Sequence, residues 1–256
     1  MIRLAALVGA LALTLLAATG AGAEQLVSTL SNPSVAITSS FDGEVLTLFG
    51  NVEPDPGAAQ KPLTGPYDII VVITGPSVNR VARLKTNSFG LWMNTEQVEF
   101  DTFPTFFHVL ASTALEKITS HEILESEEIV PDAQTRKSAV PASLHVERFG
   151  SELVRLMTQR QLFGIDTNAV KFLSPTAYSA RLPLPGDISN GLFITQTYLF
   201  KDGVLLAKRG DSFAVNKTGF ERFLGGAARN YPFLYGVTCV LLALFTGWLG
   251  GVIFRR

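Results

Sequence analysis

The sequence predicts an α+β fold: an antiparallel Ig-like β-sandwich ectodomain carrying a helical insertion, followed by one C-terminal transmembrane helix. Three observations lead there. From Asn230 to Phe254 no residue is charged, and at 1.5 Å per residue about 20 apolar residues are enough to cross a hydrocarbon core of roughly 30 Å. Short runs of β-branched and aromatic residues, punctuated by Gly, Pro and Asp, recur in the first and last parts of the remaining chain. Between about 112 and 165 the apolar spacing changes to three and four residues, the period of a helix.

Taken in order, residues 1–23 carry Arg3, an apolar run from Leu4 to Ala18, and Ala21-Gly22-Ala23. This is the pattern of a signal peptide cut after Ala23; the run is short for an uncleaved anchor, the alternative reading. Val35 to Phe41 and Val45 to Val52 read as two strands joined as a hairpin across Asp42-Gly43. Glu53 to Pro66, with four prolines, is a loop. Asp68 to Thr74 is a continuous apolar run, as in a strand buried on both faces. Arg80 to Lys85, Phe89 to Phe100 and Phe106 to Leu110 supply further strands, the last two as parts of the sandwich.

Leu115 to Ile118 and Glu122 to Ile129 read as short helical turns stopped by Pro131. The strongest helix spans Ala142 to Phe163, where Val146, Phe149, Leu153, Leu156, Met157 and Phe163 keep helical spacing and Gly164 supplies a stop. Val170 to Leu173 and Tyr178 to Leu182 resume the strands, the second ended by Pro183 and Pro185. Leu192 to Phe200 and Val204 to Arg209 form a hairpin about Lys201-Asp202-Gly203, and Phe213 to Lys217 is a separate last strand. Phe220 to Arg229 is a helix leading into the span.

The predicted organisation is therefore a signal peptide (1–23), an exported domain (24–228), and a span with a two-residue tail (229–256). The exported 205 residues hold 17 Lys and Arg against all 22 Asp and Glu, a formal net charge of −5. A mildly acidic domain of this kind argues against nucleic acid as a partner. Cys239 is the only cysteine, so no intrachain disulfide forms. Within the span Gly247 and Gly251 make a G-x-x-x-G pair, with Gly250 beside it and Gly236 on nearly the same stripe. Small residues so placed allow close helix packing, with a second copy or with a neighbouring membrane protein.

No nucleophile elbow, phosphate loop or dinucleotide fingerprint occurs. The chain reads as a non-enzyme without a cofactor or metal. Several residues still need weighing. His121-Glu122-x-x-Glu125 falls one histidine short of a zinc-protease motif, and the acidic run around it reads as solvated surface. His108, inside an aromatic run, reads as a core histidine, and His145 as a surface one. Glu99 and Asp101 would share a strand face exposed to solvent. Trp92 and Asn94 also share a face, with core packing expected for the tryptophan.

Several segments carry a resemblance: Gly90-Leu91-Trp92-Met93-Asn94, Phe103-Pro104-Thr105-Phe106-Phe107, Tyr198 to Gly203, Lys217 to Glu221, and Tyr235-Gly236 with Gly247-Trp248-Leu249. In these the chain resembles the alphaproteobacterial putative transmembrane protein family, an uncharacterised group with a signal peptide, an exported domain and one C-terminal span. The match departs most between Glu116 and Pro141. It implies a bacterial inner-membrane protein with its N-terminal domain in the periplasm, and an accessory role beside a sulfite-exporter-like permease. It implies no catalytic or ligand-binding residue. The function expected is thus a membrane-anchored extracytoplasmic binding or accessory module whose partners are the lipid bilayer and a neighbouring membrane protein. The alternative is an exported metal-dependent hydrolase using His121, Glu122 and Glu125.

Overall fold

The computed structural model of the protein describes residues 24–38, 40–54, 65–140, 145–218 and 220–253. The expected signal peptide, most of the proline-rich loop, the start of the expected long helix and the terminal arginine pair lie outside these residues. The first strands are β1 (Gln25–Leu30), β2 (Ser34–Ile37), β3 (Gly43–Glu53), β4 (Asp68–Thr74), β5 (Ser77–Ser88), β6 (Leu91–Pro104) and β7 (Phe107–Ala111). Helices α1 (Leu115–Ile118), α2 (His121–Ser126), α3 (Pro131–Ser138) and α4 (Val146–Gln159) come next. Then come β8 (Phe163–Thr167), β9 (Val170–Phe172), β10 (Ala177–Pro185), β11 (Gly191–Lys201) and β12 (Val204–Lys217), and α5 (Phe220–Asn230) leads into α6 (Pro232–Ile253).

The strands pair as a four-stranded sheet, β1-β3-β10-β9, a six-stranded sheet, β2-β12-β11-β4-β7-β8, and the two-stranded ribbon β5-β6. Named pairs are antiparallel except β2 with β12 and β7 with β8. The class is mixed α+β and mostly antiparallel, with an apolar C-terminal helix. Both sheets contribute to one core. Leu46, Leu48 and Leu182 of the smaller sheet meet Val71, Ile73 and Leu110 of the larger across a gap of about 10 Å³. Along one edge Ser28 of β1 donates to the Asp211 carboxylate of β12.

β4 sits at the centre. Ile69 to Ile73 are all buried, which explains the continuous apolar run: Val71 and Ile73 face the smaller sheet, while Ile70 and Val72 are covered on the other face. The β11–β12 hairpin closes with Lys201 paired to Val204, leaving a two-residue turn in which Asp202 (φ 49°) and Gly203 (φ 83°) both take positive φ. That is the turn whose twist suits a hairpin.

Elsewhere the structure corrects the expectations. β2 and β3 do not form a hairpin; they enter different sheets. Gly43 serves the crossing, since at φ 120° a Cβ would stand 2.7 Å from the Leu184 carbonyl oxygen. The strand expected to stop at Pro183 continues through Pro185, because β9 covers β10 only from Tyr178 to Ala180 and the rest of that side is open, where strand proline is tolerated. Phe213 to Lys217 is the end of β12 rather than a separate strand. The long helix ends at Gln159, and Phe163 begins β8, stacked on Phe103 at 5.4 Å. β1 occupies a stretch for which no strand is expected.

Phe89 to Phe100 does not form a strand of the packed sheets. Thr74 pairs with Phe107, Gly75 N–H donates to the Phe106 carbonyl at 2.8 Å, Thr105 N–H donates to the Pro76 carbonyl at 2.9 Å, and Ser77 pairs with Pro104. One register thus runs from the β4–β7 pair into β5–β6, and the outer part of this ribbon leaves the sheet. Its root is held by α3 and α4: the Val140 N–H donates to the Glu99 carbonyl at 3.1 Å, and Phe100 and Phe103 are buried. At the far end of the sheet the Thr119 hydroxyl after α1 donates to the Gly203 carbonyl at 2.8 Å.

Gly50 of β3 lies under the buried ring of Tyr178; a Cβ there would be 2.2 Å from the ring's Cζ and Oη. Gly50→Ala should therefore cost about 1–3 kcal/mol, read as a lowered unfolding midpoint of the purified protein. In a Tyr178→Leu background the added cost of the alanine should shrink, because the two positions are coupled through the ring.

Candidate functional site

Parallel pairing of β7 and β8 sets His108 opposite Gly164, with Asp166 two residues further on. The absence of a side chain at Gly164 is what seats the imidazole, since a Cβ there would be 2.6 Å from His108 Cε1. Phe106 stacks on the ring at 4.9 Å with an interplanar angle of 13°. The histidine forms the floor of a cleft of about 540 Å³ whose walls include Asp42, Thr158, Gln161, Pro183 and Pro185. Asp166 stands at the rim, half exposed, its Oδ2 3.7 Å from His108 Nδ1.

Burial pushes the His108 pKa below the ordinary histidine value, and the Asp166 carboxylate and the Gln161 backbone pull the other way without overcoming it. The ring is neutral at pH 7. At 3.7 Å the pair is beyond hydrogen-bond distance, and Nδ1 is buried with no hydrogen-bond partner among the described residues. The Thr158 hydroxyl donates to the Val154 carbonyl at 2.9 Å. The cleft therefore offers a neutral imidazole and a carboxylate to a small polar ligand. As expected, His108 is a core residue; sequence reasoning missed the cleft, because its other wall comes from β10.

The remaining sequence candidates do not converge on it. His121 is exposed on α2, its Nε2 3.3 Å from Glu125, and Glu125 also accepts from Arg136 at 2.6 Å. Lys137 pairs with Glu128 at 2.5 Å and Lys208 with Glu127, so the acidic run is a belt of surface ion pairs. Among the described residues no group of three or more His, Cys, Asp or Glu could hold a metal ion. His145 is exposed at the N-terminus of α4 in a left-handed conformation. Glu99 and Asp101 are exposed on β6; Glu99 pairs with Val81, whereas Asp101 falls inside a register shift. Trp92 is not a core residue: it is exposed beside Asn94 near the ribbon's turn, where no second layer reaches.

The other functional element is α6. Its 22 residues have mean hydropathy 2.0 over the most apolar window, and none of that window is buried by the rest of the chain. Thr238 and Thr246 donate to the Leu234 and Leu242 carbonyls at 2.8 and 2.9 Å, so neither hydroxyl is left bare on an apolar surface. Tyr231 N–H donates to Ala227 and Tyr235 N–H to Tyr231, both at 2.9 Å, which carries helical bonding from α5 across the Pro232 junction. Among the described residues nothing lies within 4 Å of a Cβ built on Gly236, Gly247, Gly250 or Gly251. The glycine face is open.

The unfolded chain holds a proton on His108 at pH values where the folded protein does not, between the lowered folded value and about 6.5. Stability from this group is complete above about 6.5 and is lost as pH falls through that window. A His108→Gln variant should lose less of its unfolding midpoint than the parent between about pH 7 and about pH 5; equal losses would show that His108 does not titrate this way.

Among curated proteins none matches the chain. The profile of a family described as "Putative transmembrane protein (Alph_Pro_TM)" matches residues 25–256, from the first residue of β1 to the end of the chain. A match of that extent, over a domain followed by an apolar helix of spanning length, makes this chain a member of the Alph_Pro_TM family of transmembrane proteins.

Proposed function

We propose that the protein is a membrane-anchored extracytoplasmic accessory module that binds a neighbouring membrane protein. In this reading the two sheets act as an Ig-like sandwich held in the periplasm at the outer face of the inner membrane. The observation that carries it is α6: a spanning helix none of whose apolar window is buried among the described residues leaves most of its surface to lipid and to another helix. The signal-peptide pattern of residues 1–23 supports the periplasmic side. The partner class is a permease of the sulfite-exporter-like kind.

Two measurements test the reading. A reporter active only outside the cytoplasm should work when inserted between Glu53 and Pro66 and stay silent when fused after Arg256; the reverse pattern would place the domain in the cytoplasm. Affinity capture of the intact protein from membranes should recover a membrane protein in near-stoichiometric amount. Substituting Gly247→Ile and Gly251→Ile together, which blocks close helix approach while keeping the span apolar, should reduce that recovery severalfold. Recovery of no membrane protein would remove the accessory role, and unchanged recovery would remove the glycines from the contact.

A further inference from the structure

The β5–β6 ribbon ends in an apolar tip that no described residue covers. Its turn residues Phe89 (φ 54°) and Gly90 (φ 83°) both take positive φ, a two-residue turn whose first position favours Asn, Asp or Gly. Phenylalanine stands there instead, 107% exposed, and Leu91, Trp92 and Met93 come after it at 67%, 70% and 49%. From Thr86 to Thr95 no residue carries a charge, and Lys85 and Glu96 bound the stretch. We propose that this tip inserts into the interface of the same bilayer that holds α6.

Strand register puts the ribbon and the tether at one end of the larger sheet. β4 and β12 both run antiparallel to β11, so they point the same way, and Ile194 of β11 pairs with Thr74 and with Ser212. Beyond Thr74 the chain turns into β5 at Pro76, which lies against Gly191: a Cβ on that glycine would be 2.9 Å from Pro76 Cγ. Gly191 pairs with Val215, two residues before β12 ends and the chain passes to α5. The ribbon continues the β4 register past the end of the sheet from which the chain leaves for the membrane.

The lengths agree. Twelve residues of β5 extend about 40 Å at a strand's rise. The 11 residues of α5, even upright, hold the domain about 16 Å off the span, and the two residues between β12 and α5 can add at most about 7 Å. The ribbon is longer than the tether. Its strands pair up to the turn, Ser88 with Leu91, Asn87 with Trp92 and Thr86 with Met93, and the Gly90 N–H donates to Asn87 Oδ1 at 2.9 Å; the outward-facing N–H and C=O groups of a two-stranded ribbon need water or headgroups, which sets the depth at the interface and not in the hydrocarbon. Tryptophan is suited to the lipid–water boundary, with phenylalanine and leucine on its apolar side. Tethering by α6 makes the encounter intramolecular, so a small apolar tip suffices where a free domain would need a larger one.

The chain's two tryptophans make the test direct. In full-length protein carrying Trp248→Phe, reconstituted in lipid nanodiscs, Trp92 is the only indole. Its emission should be blue-shifted, shielded from acrylamide, and largely lost when the nanodisc lipids carry bromine on their acyl chains. Adding Phe89→Asn and Leu91→Ser, which suit the turn but remove the apolar anchors, should return it to water and abolish the bromolipid quenching. Trp92 that is acrylamide-accessible and unquenched by bromolipid would show a ribbon free in solvent. Trp92 that is shielded yet unquenched by bromolipid would show a protein partner or a second copy of the chain. Either result overturns the proposal.

Discussion

The structure depends on burying β4. Five consecutive apolar residues, Ile69 to Ile73, cannot be satisfied by a strand that packs on one face only, so the chain must supply a sheet on one side and cover on the other. The smaller sheet meets Val71 and Ile73, and the sheet neighbours β11 and β7 flank the backbone. Much of the remaining geometry is inherited from that strand. The ribbon's register is that of β4 with β7, β8 is placed by β7, and the direction in which the chain leaves for the membrane is set by β12, two strands away.

What could be read in the sequence was local. A continuous apolar run identifies β4, Asp202-Gly203 identifies the β11–β12 hairpin, and α6 is plain from the loss of charge. What could not be read were pairings between distant segments. Asp42-Gly43 is the same kind of dipeptide as Asp202-Gly203, yet it marks a crossing between sheets, because β2 finds Ala214 to Lys217 and β3 finds β1 and β10. Local composition does not distinguish the two outcomes; partners many residues away do. Phe163 fitted the helical period and still became the first residue of β8, since stacking on Phe103 and a tilted contact with Phe107 bury it there.

The site shows the same division. His108 announced itself as a buried histidine through its aromatic neighbours, but the cleft above it is assembled from Gly164 and Asp166 on one side and Pro183 and Pro185 on the other. Those walls belong to strands that are not sequence neighbours of β7. Conversely, the acidic run at His121 looked like chemistry in one dimension and resolves into ion pairs with Arg136, Lys137 and Lys208, charges supplied by the next helix and by β12. Exposed pairs of this kind contribute little stability each, and they leave Glu125, Glu127 and Glu128 already engaged.

Trp92 shows where composition alone fails most. An aromatic residue in a strand is ordinarily evidence of a core, because burial of its large apolar surface is the main return for ordering it. That inference assumes water everywhere outside the protein. For a chain with its own membrane span the surroundings contain two solvents, and an exposed Phe89-Gly90-Leu91-Trp92-Met93 tip costs free energy in only one of them. A ribbon that excluded charge from its outermost ten residues and grew from the sheet end nearest the tether suits the boundary of the other, where headgroups and water meet its open edges. The same side chains that would be an aggregation hazard on a free domain are consistent with the fold once the tether is counted as part of it.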